Sequence, residues 1–114
     1  MKSLSSDDFI ILNKTLLFTD KIDSLISNIP RKDYYYKDKL ISDSYILLEY
    51  IFRANYSVNK DIRDSCLTEI LVRLSIIDKL LERFYKKKYI SERQLYTSVR
   101  LLTEVNRMVK KWLG

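Results

Sequence analysis

Glycine occurs once in this chain of 114 residues, at its final position, and proline once, at Pro30. Hairpin turns, phosphate-cradling loops and disordered linkers need, at several places, residues that tolerate positive φ or lock φ. A chain with one of each is left with helices joined by short polar connections. Most β and α/β architectures are thereby excluded. A mass of 13.7 kDa allows one hydrophobic core but not two, so residues 1–114 are expected to form a single domain.

Histidine is absent and cysteine occurs once, as Cys66. The chain therefore lacks the commonest general base near neutral pH and the commonest zinc ligand, and one thiol makes neither a thiolate cluster nor an internal disulfide. No catalytic residue, metal ligand or cofactor is assigned, and the chain is not read as an enzyme. Carboxylates are plentiful without forming a recognisable acid/base pair; Glu69 with Arg73, or Asp78 and Glu82 with Arg83, read as surface helix pairs. Cys66 reads as a small core residue. The N-terminus, Met1, Lys2, Ser3, Leu4 and soon Asp7 and Asp8, carries no long apolar run. Elsewhere charges interrupt the apolar residues far short of the roughly 20 that a membrane span needs. A soluble, cytoplasmic protein with no membrane partner is expected.

Four amphipathic segments follow. Ile11, Thr15, Phe18, Ile22, Leu25 and Ile29 recur at steps of four and three, which keeps them on one helical face. Ser6 or Asp7 can cap this helix and Pro30 ends it, giving a first helix over about residues 7–28. The second stripe is Leu40, Ser44, Leu47, Ile51 and Ala54, with Asp33 as candidate N-cap; Asn59 and Lys60 then read as a turn. The third, Leu67, Ile70, Leu74, Ile77, Leu81 and Phe84, holds the same rhythm longest. The fourth starts at Ser91, which has capping-box spacing to Gln94, and continues through Leu95, Val99, Leu102, Val105, Val109 and Trp112. Four such helices with short connections make an all-α, antiparallel up-down-up-down four-helix bundle.

The apolar residues exceed these stripes. Ile62, Leu71, Val72, Ile76 and Leu80 widen the third arc, and Tyr45, Tyr50 and Phe52 the second, although broad packing within one bundle can absorb the same residues. The excess points to a homo-oligomer.

Charge is segregated. Residues 1–85 hold 13 basic and 13 acidic side chains, whereas residues 86–114 hold eight basic and two acidic, so the whole net +6 lies in that last stretch. A localised positive field attracts polyanions, and nucleic acid or an acidic protein is implied. Arg93, Arg100 and Arg107 are spaced by seven, with Thr97, Glu104 and Lys111 four after each. On a helix these form a rail about 27 Å long that can follow a phosphate backbone. Lys110 with Lys111, and the cluster Lys86, Lys87 and Lys88, sit where helices end, so complementing the helix dipole explains them equally well. Arg31 and Lys32 open a stretch in which Tyr34, Tyr35 and Tyr36 are followed by Lys37 and Lys39, with Asp33 and Asp38 diluting the charge. It can stack unpaired bases or simply fill a bundle end with tyrosine rings.

Three stretches resemble a known family. Ile29, Pro30, Arg31 and Lys32 are similar to its hydrophobic-proline-basic ending of helix one. The run from Leu47 through Glu49, Tyr50, Phe52 and Arg53 to Ala54 and Asn55 resembles its second helix. Tyr89, Ile90, Ser91, Glu92, Arg93 and Gln94, with Arg107, Met108, Val109, Lys110, Lys111, Trp112 and Leu113, resemble its fourth helix, from an Ile-Ser turn to a basic Trp-Leu tail. The family is that of the accessory variability determinant (Avd) proteins of diversity-generating retroelements, four-helix bundles related to the proteins of ribosomal RNA intervening sequences. Tyr36 stands where that family has a small residue. The resemblance, over roughly residues 15–113, implies a homopentameric, ring- or barrel-shaped assembly. It also implies a basic surface for RNA or DNA and association with a reverse transcriptase in mutagenic retrohoming. The alternative is a structural or protein-interaction bundle whose basic face meets an acidic partner.

Overall fold

The structure, a computed structural model, describes the backbone from residue 6 to residue 114 and the side chains from residue 10 onward. The described residues form helices α1 (Ser6–Ile26), α2 (Tyr34–Tyr56), α3 (Lys60–Lys86) and α4 (Glu92–Leu113), with a 3-10 turn over Arg31–Asp33 ahead of α2. Each helix packs on its neighbours in sequence and α1 closes against α4, while the diagonal pairs make no backbone-range contact among the described residues. Connections of a few residues force consecutive helices to run antiparallel, and the body measures 43 × 24 × 23 Å, one helix long and two helices wide. This is the up-down-up-down bundle that the spacing predicts.

Local chemistry sets the ends. α1 stops at Ile26, earlier than the expected residue 28. A proline disfavours helical conformation in the residue before it, so the chain ahead of Pro30 relaxes into turns in which the Asn28 and Ile29 amides donate to Leu25 and Ile26. Caps expected at Ser6 and Asp7 lie outside the described side chains. Asn59, expected in a turn, instead caps α3: its Oδ1 accepts from the Asp61 and Ile62 amides at 2.8 and 3.2 Å. The Ser91 box forms as read, with Gln94 N–H donating to Ser91 Oγ and Ser91 N–H to Gln94 Oε1.

The three stripes read for α1, α2 and α3 are buried in full, Thr15 and Ser44 included, and Ile29 stays in the core though it has left the helix. Both hydroxyls bond back to their own helix, Thr15 to the Ile11 carbonyl and Ser44 to that of Ile41, so neither is stranded by its burial. α4 is rolled relative to its expected stripe. Ser98, Leu102, Val105 and Val109 are buried, while Leu95, Val99 and Trp112 are half-buried at the core's margin. Cys66 is buried. Of the surplus apolar residues, Leu80 is buried, but Tyr45, Phe52, Ile62 (57% exposed), Val72 (47%) and Ile76 stay at the surface of the single chain.

One core position carries a charge. Asp43 lies three after Leu40 and four before Leu47, on the buried face of α2, and is fully buried. Its Oδ1 accepts from Lys39 Nζ at 3.1 Å and from Arg73 Nη1, on α3, at 2.6 Å. Arg73 also donates to Glu69 at 3.0 Å. The expected surface pair Glu69–Arg73 is thus the outer half of a network tying α2 to α3, because the Asp43 carboxylate stands within reach of Arg73 across the interface.

Candidate nucleic-acid interface

The winding of the bundle brings the 3-10 turn before α2 and the α3–α4 turn to one end. At the latter, Tyr89 N–H donates to the Phe84 carbonyl and Lys88 N–H to that of Tyr85, both at 2.9 Å, the paired bonds of a Schellman ending. That motif needs a left-handed residue, usually glycine; here Lys88 takes it, at φ 64°. The Tyr89 ring then folds back on Phe84, with centroids 6.3 Å apart.

This turn is fastened to the other. Lys87 Nζ stands 3.2 and 3.3 Å from the carboxylate oxygens of Asp33, 54 positions earlier. Asp33 does occupy the N-cap position of α2, but its side chain makes no capping bond, being drawn to Lys87 and to the Tyr89 hydroxyl instead. Arg83, expected beside Asp78 and Glu82, lies over the Tyr36 ring at 3.9 Å, and Glu82 faces Lys79 and Lys86.

The Tyr89 hydroxyl, ahead of the Lys87 ammonium, holds the Asp33 carboxyl below its usual range although burial acts the other way. The same bond pushes the Tyr89 phenol up. A carboxylate depressed on folding stabilises the fold above its unfolded pKa and loses that contribution as pH falls through the folded value. Wild type is therefore expected to lose more stability between about pH 5 and pH 3 than Asp33→Asn, measured by urea denaturation at each pH. Equal losses would show that the contact adds nothing.

The ten cations singled out in the sequence divide into groups. Arg93, Arg100, Arg107 and Lys111 run along α4 and are exposed, as are Lys110, Arg31, Lys32, Lys86, Lys87 and Lys88. Lys87 is engaged with Asp33, and Lys86 forms an exposed pair with Glu82 at 3.0 Å. Arg100 has only a long contact, 3.9 Å, to Glu104, which is itself paired to Lys14 of α1 at 2.9 Å. Lys14, ahead of the Arg100 and Arg107 charges, holds the Glu104 carboxyl low. Arg31, Lys32, Lys88, Arg93, Arg107, Lys110 and Lys111 have no carboxylate partner among the described residues. The rail begins at the end that carries Arg31, Lys32 and Lys88, and runs to the opposite end of the bundle. Lys110 and Lys111 complement the C-terminal dipole of α4, whereas Arg93, in its first turn, opposes the N-terminal dipole. Helix stability explains the former pair and leaves Arg93 unexplained.

Among the described residues, no cluster of acidic or thiol side chains is placed to hold a metal, and no helix is long and apolar enough to cross a membrane. Sequence reasoning missed Asp43 and the Asn59 cap. A carboxylate in register with an apolar stripe marks the first, and Asn two residues before an acidic helix start marks the second.

No family model and no curated protein matches the chain. Among solved structures it is similar to a protein with unknown function from the S23 ribosomal protein family of Bacteroides thetaiotaomicron, known from a crystal structure at 1.70 Å resolution. The two share 16% of their residues over 94% of this chain and 97% of the other, with a TM-score of 0.85. The chain therefore has the four-helix fold of that S23-family protein.

Proposed function

We propose that this protein is a non-catalytic accessory factor that binds nucleic acid, template RNA or its cDNA copy, on its basic surface. On this reading it works beside the reverse transcriptase of a diversity-generating retroelement. The observation that carries the nucleic-acid part is the rail on α4, whose guanidinium groups stand in solvent without close carboxylate partners among the described residues. The first of its free cations, Arg93, shares one end of the bundle with Arg31, Lys32 and Lys88. Cations held at fixed spacing on a rigid rod displace the counterions of a phosphate backbone without reading base sequence. The retroelement and the polymerase partner rest on the resemblance of the Ile-Pro-Arg-Lys, Leu-rich and Trp-Leu stretches. The exposed Ile62, Val72 and Ile76 on α3 and Phe52 on α2 support self-assembly into a ring, a pentamer by the same resemblance, which multiplies the rail around one particle.

The test is RNA binding as a function of salt. Four to six phosphates contacted per site are expected to give a log–log slope of about −3 to −4 on single-stranded RNA. Absence of binding at low salt, together with nuclease-resistant capture of an acidic protein, would favour the protein-interaction bundle instead.

A further inference from the structure

A rail of cations grips duplex and single strands with little discrimination, because both present phosphates. The end of the bundle where the rail begins carries a group of exposed tyrosines, where the rail itself has Tyr96 alone. Tyr34 and Tyr35, in the first turn of α2, are 66% and 72% exposed, and Tyr85, in the last turn of α3, is exposed as well. The packing of this end uses Tyr34 and Tyr35 little. Tyr36, beneath Arg83, and Tyr89, against Phe84 and Asp33, do that work, and among the described residues the one ring contact of Tyr35 is edge-on with Tyr36. Tyr34 and Tyr35 stand mostly in water and add little to the core, whereas Tyr85, 37% exposed, presents one part of its ring to solvent.

Their surroundings are cationic. An open hollow of about 530 Å³ lies between Tyr85, Lys86, Lys88 and Tyr89 on one side and Ile90, Ser91 and Glu92 on the other. Arg31 and Lys32 precede Tyr34 with Asp33 between them, and the Lys87–Asp33 contact fastens their turn to the lysine turn. The anions here are Asp33, already matched, Glu82, facing Lys79 and Lys86, Glu92 at the start of α4, and Asp38, exposed one turn after Tyr34 and Tyr35 on α2 beside Lys37 and Lys39 in sequence. Lys88 occupies a left-handed position where glycine would be more stable, so this charge is kept against local backbone preference.

We infer that this end of the bundle is a site for single-stranded nucleic acid, in which Tyr34, Tyr35 and Tyr85 stack on unpaired bases while Arg31, Lys32 and Lys88 hold the intervening phosphates. Bases within a duplex are already stacked on one another and offer no face to a tyrosine, so this contribution exists only for unpaired strands. The inference rests on the nucleic-acid reading above and narrows it to one strand state. A strand leaving the site meets Arg93 next, beside the exposed Tyr96.

The experiment compares a fluorescein-labelled single-stranded oligouridylate with an RNA duplex of equal length, by anisotropy with the full chain. Tyr34→Ala combined with Tyr35→Ala is expected to weaken oligouridylate binding about 10- to 100-fold and to leave duplex binding within about twofold. Tyr→Phe at both positions, which keeps the rings, restores the single-strand affinity. Lys88→Gly is expected to raise the thermal midpoint while weakening both probes several-fold, so that loss of binding is separated from loss of fold. Oligouridylate affinity unchanged in the double alanine variant, or falling in parallel with duplex affinity, overturns the stacking site. If wild type binds both probes and the tyrosine variants match it, the rail reading survives and this one does not. If wild type binds neither, both fall.

Discussion

Asp43→Ala is expected to lower stability by about 3 kcal/mol, a fall of roughly 10 °C in thermal midpoint. The carboxylate is fully buried and one of its oxygens receives both Lys39 and Arg73. Its removal leaves the Arg73 guanidinium, whose side chain is only 22% exposed, facing Glu69 alone across an apolar interface. Breaking a buried pair costs about 3–5 kcal/mol because one charge remains desolvated and unmatched. The lower figure applies here since Lys39 reaches water and Glu69 keeps part of the compensation. Replacing both partners tests the cause: Asp43→Leu with Arg73→Met, which leaves no stranded charge, is expected to recover most of the loss. Urea denaturation of the two singles and the double measures the coupling. A single alanine variant that loses less than about 1 kcal/mol would show that water already solvates the site.

Reversing three charges on the rail should have the largest effect on binding. Arg93→Glu, Arg100→Glu and Arg107→Glu together remove three phosphate contacts, which lowers the salt slope on single-stranded RNA by about 2. The same loss corresponds to about 100-fold in affinity at 0.1 M salt, before any repulsion from the new carboxylates. Stability should hardly move, because the three side chains are exposed and only Arg100 touches a carboxylate, at 3.9 Å. Affinity and salt slope unchanged in a folded triple variant would remove the rail from the interface and shift attention to the tyrosine end.

Much of the architecture could be read from spacing. The steps of four and three through Ile11–Leu25, Leu40–Ala54 and Leu67–Phe84 became buried faces without exception, because such a period can be satisfied only by a helix lying on a core. The Ser91–Gln94 box formed for a similarly local reason. Leu95 and Val99 did less than their hydrophobicity suggests, since the roll of α4 is settled by how Ser98 and Leu102 fit the neighbouring helices. Exposure of Arg93, Arg100 and Arg107 was legible as well, being opposite the apolar face of their own helix.

The ion pairs were not. Asp33 reads locally as a cap and Glu69–Arg73 as a surface pair, yet Asp33 joins a lysine 54 positions away and Arg73 joins Asp43 30 positions away. Helices, their ends and their inward faces follow from contacts within a turn or two of chain, which the order of residues states outright. Partners across the bundle depend on which helix ends up beside which and at what height. Coulomb attraction acts on that distance in space and is blind to separation along the chain. For that reason the meeting of Tyr34, Tyr35, Tyr85 and Lys88 at one end came from folding.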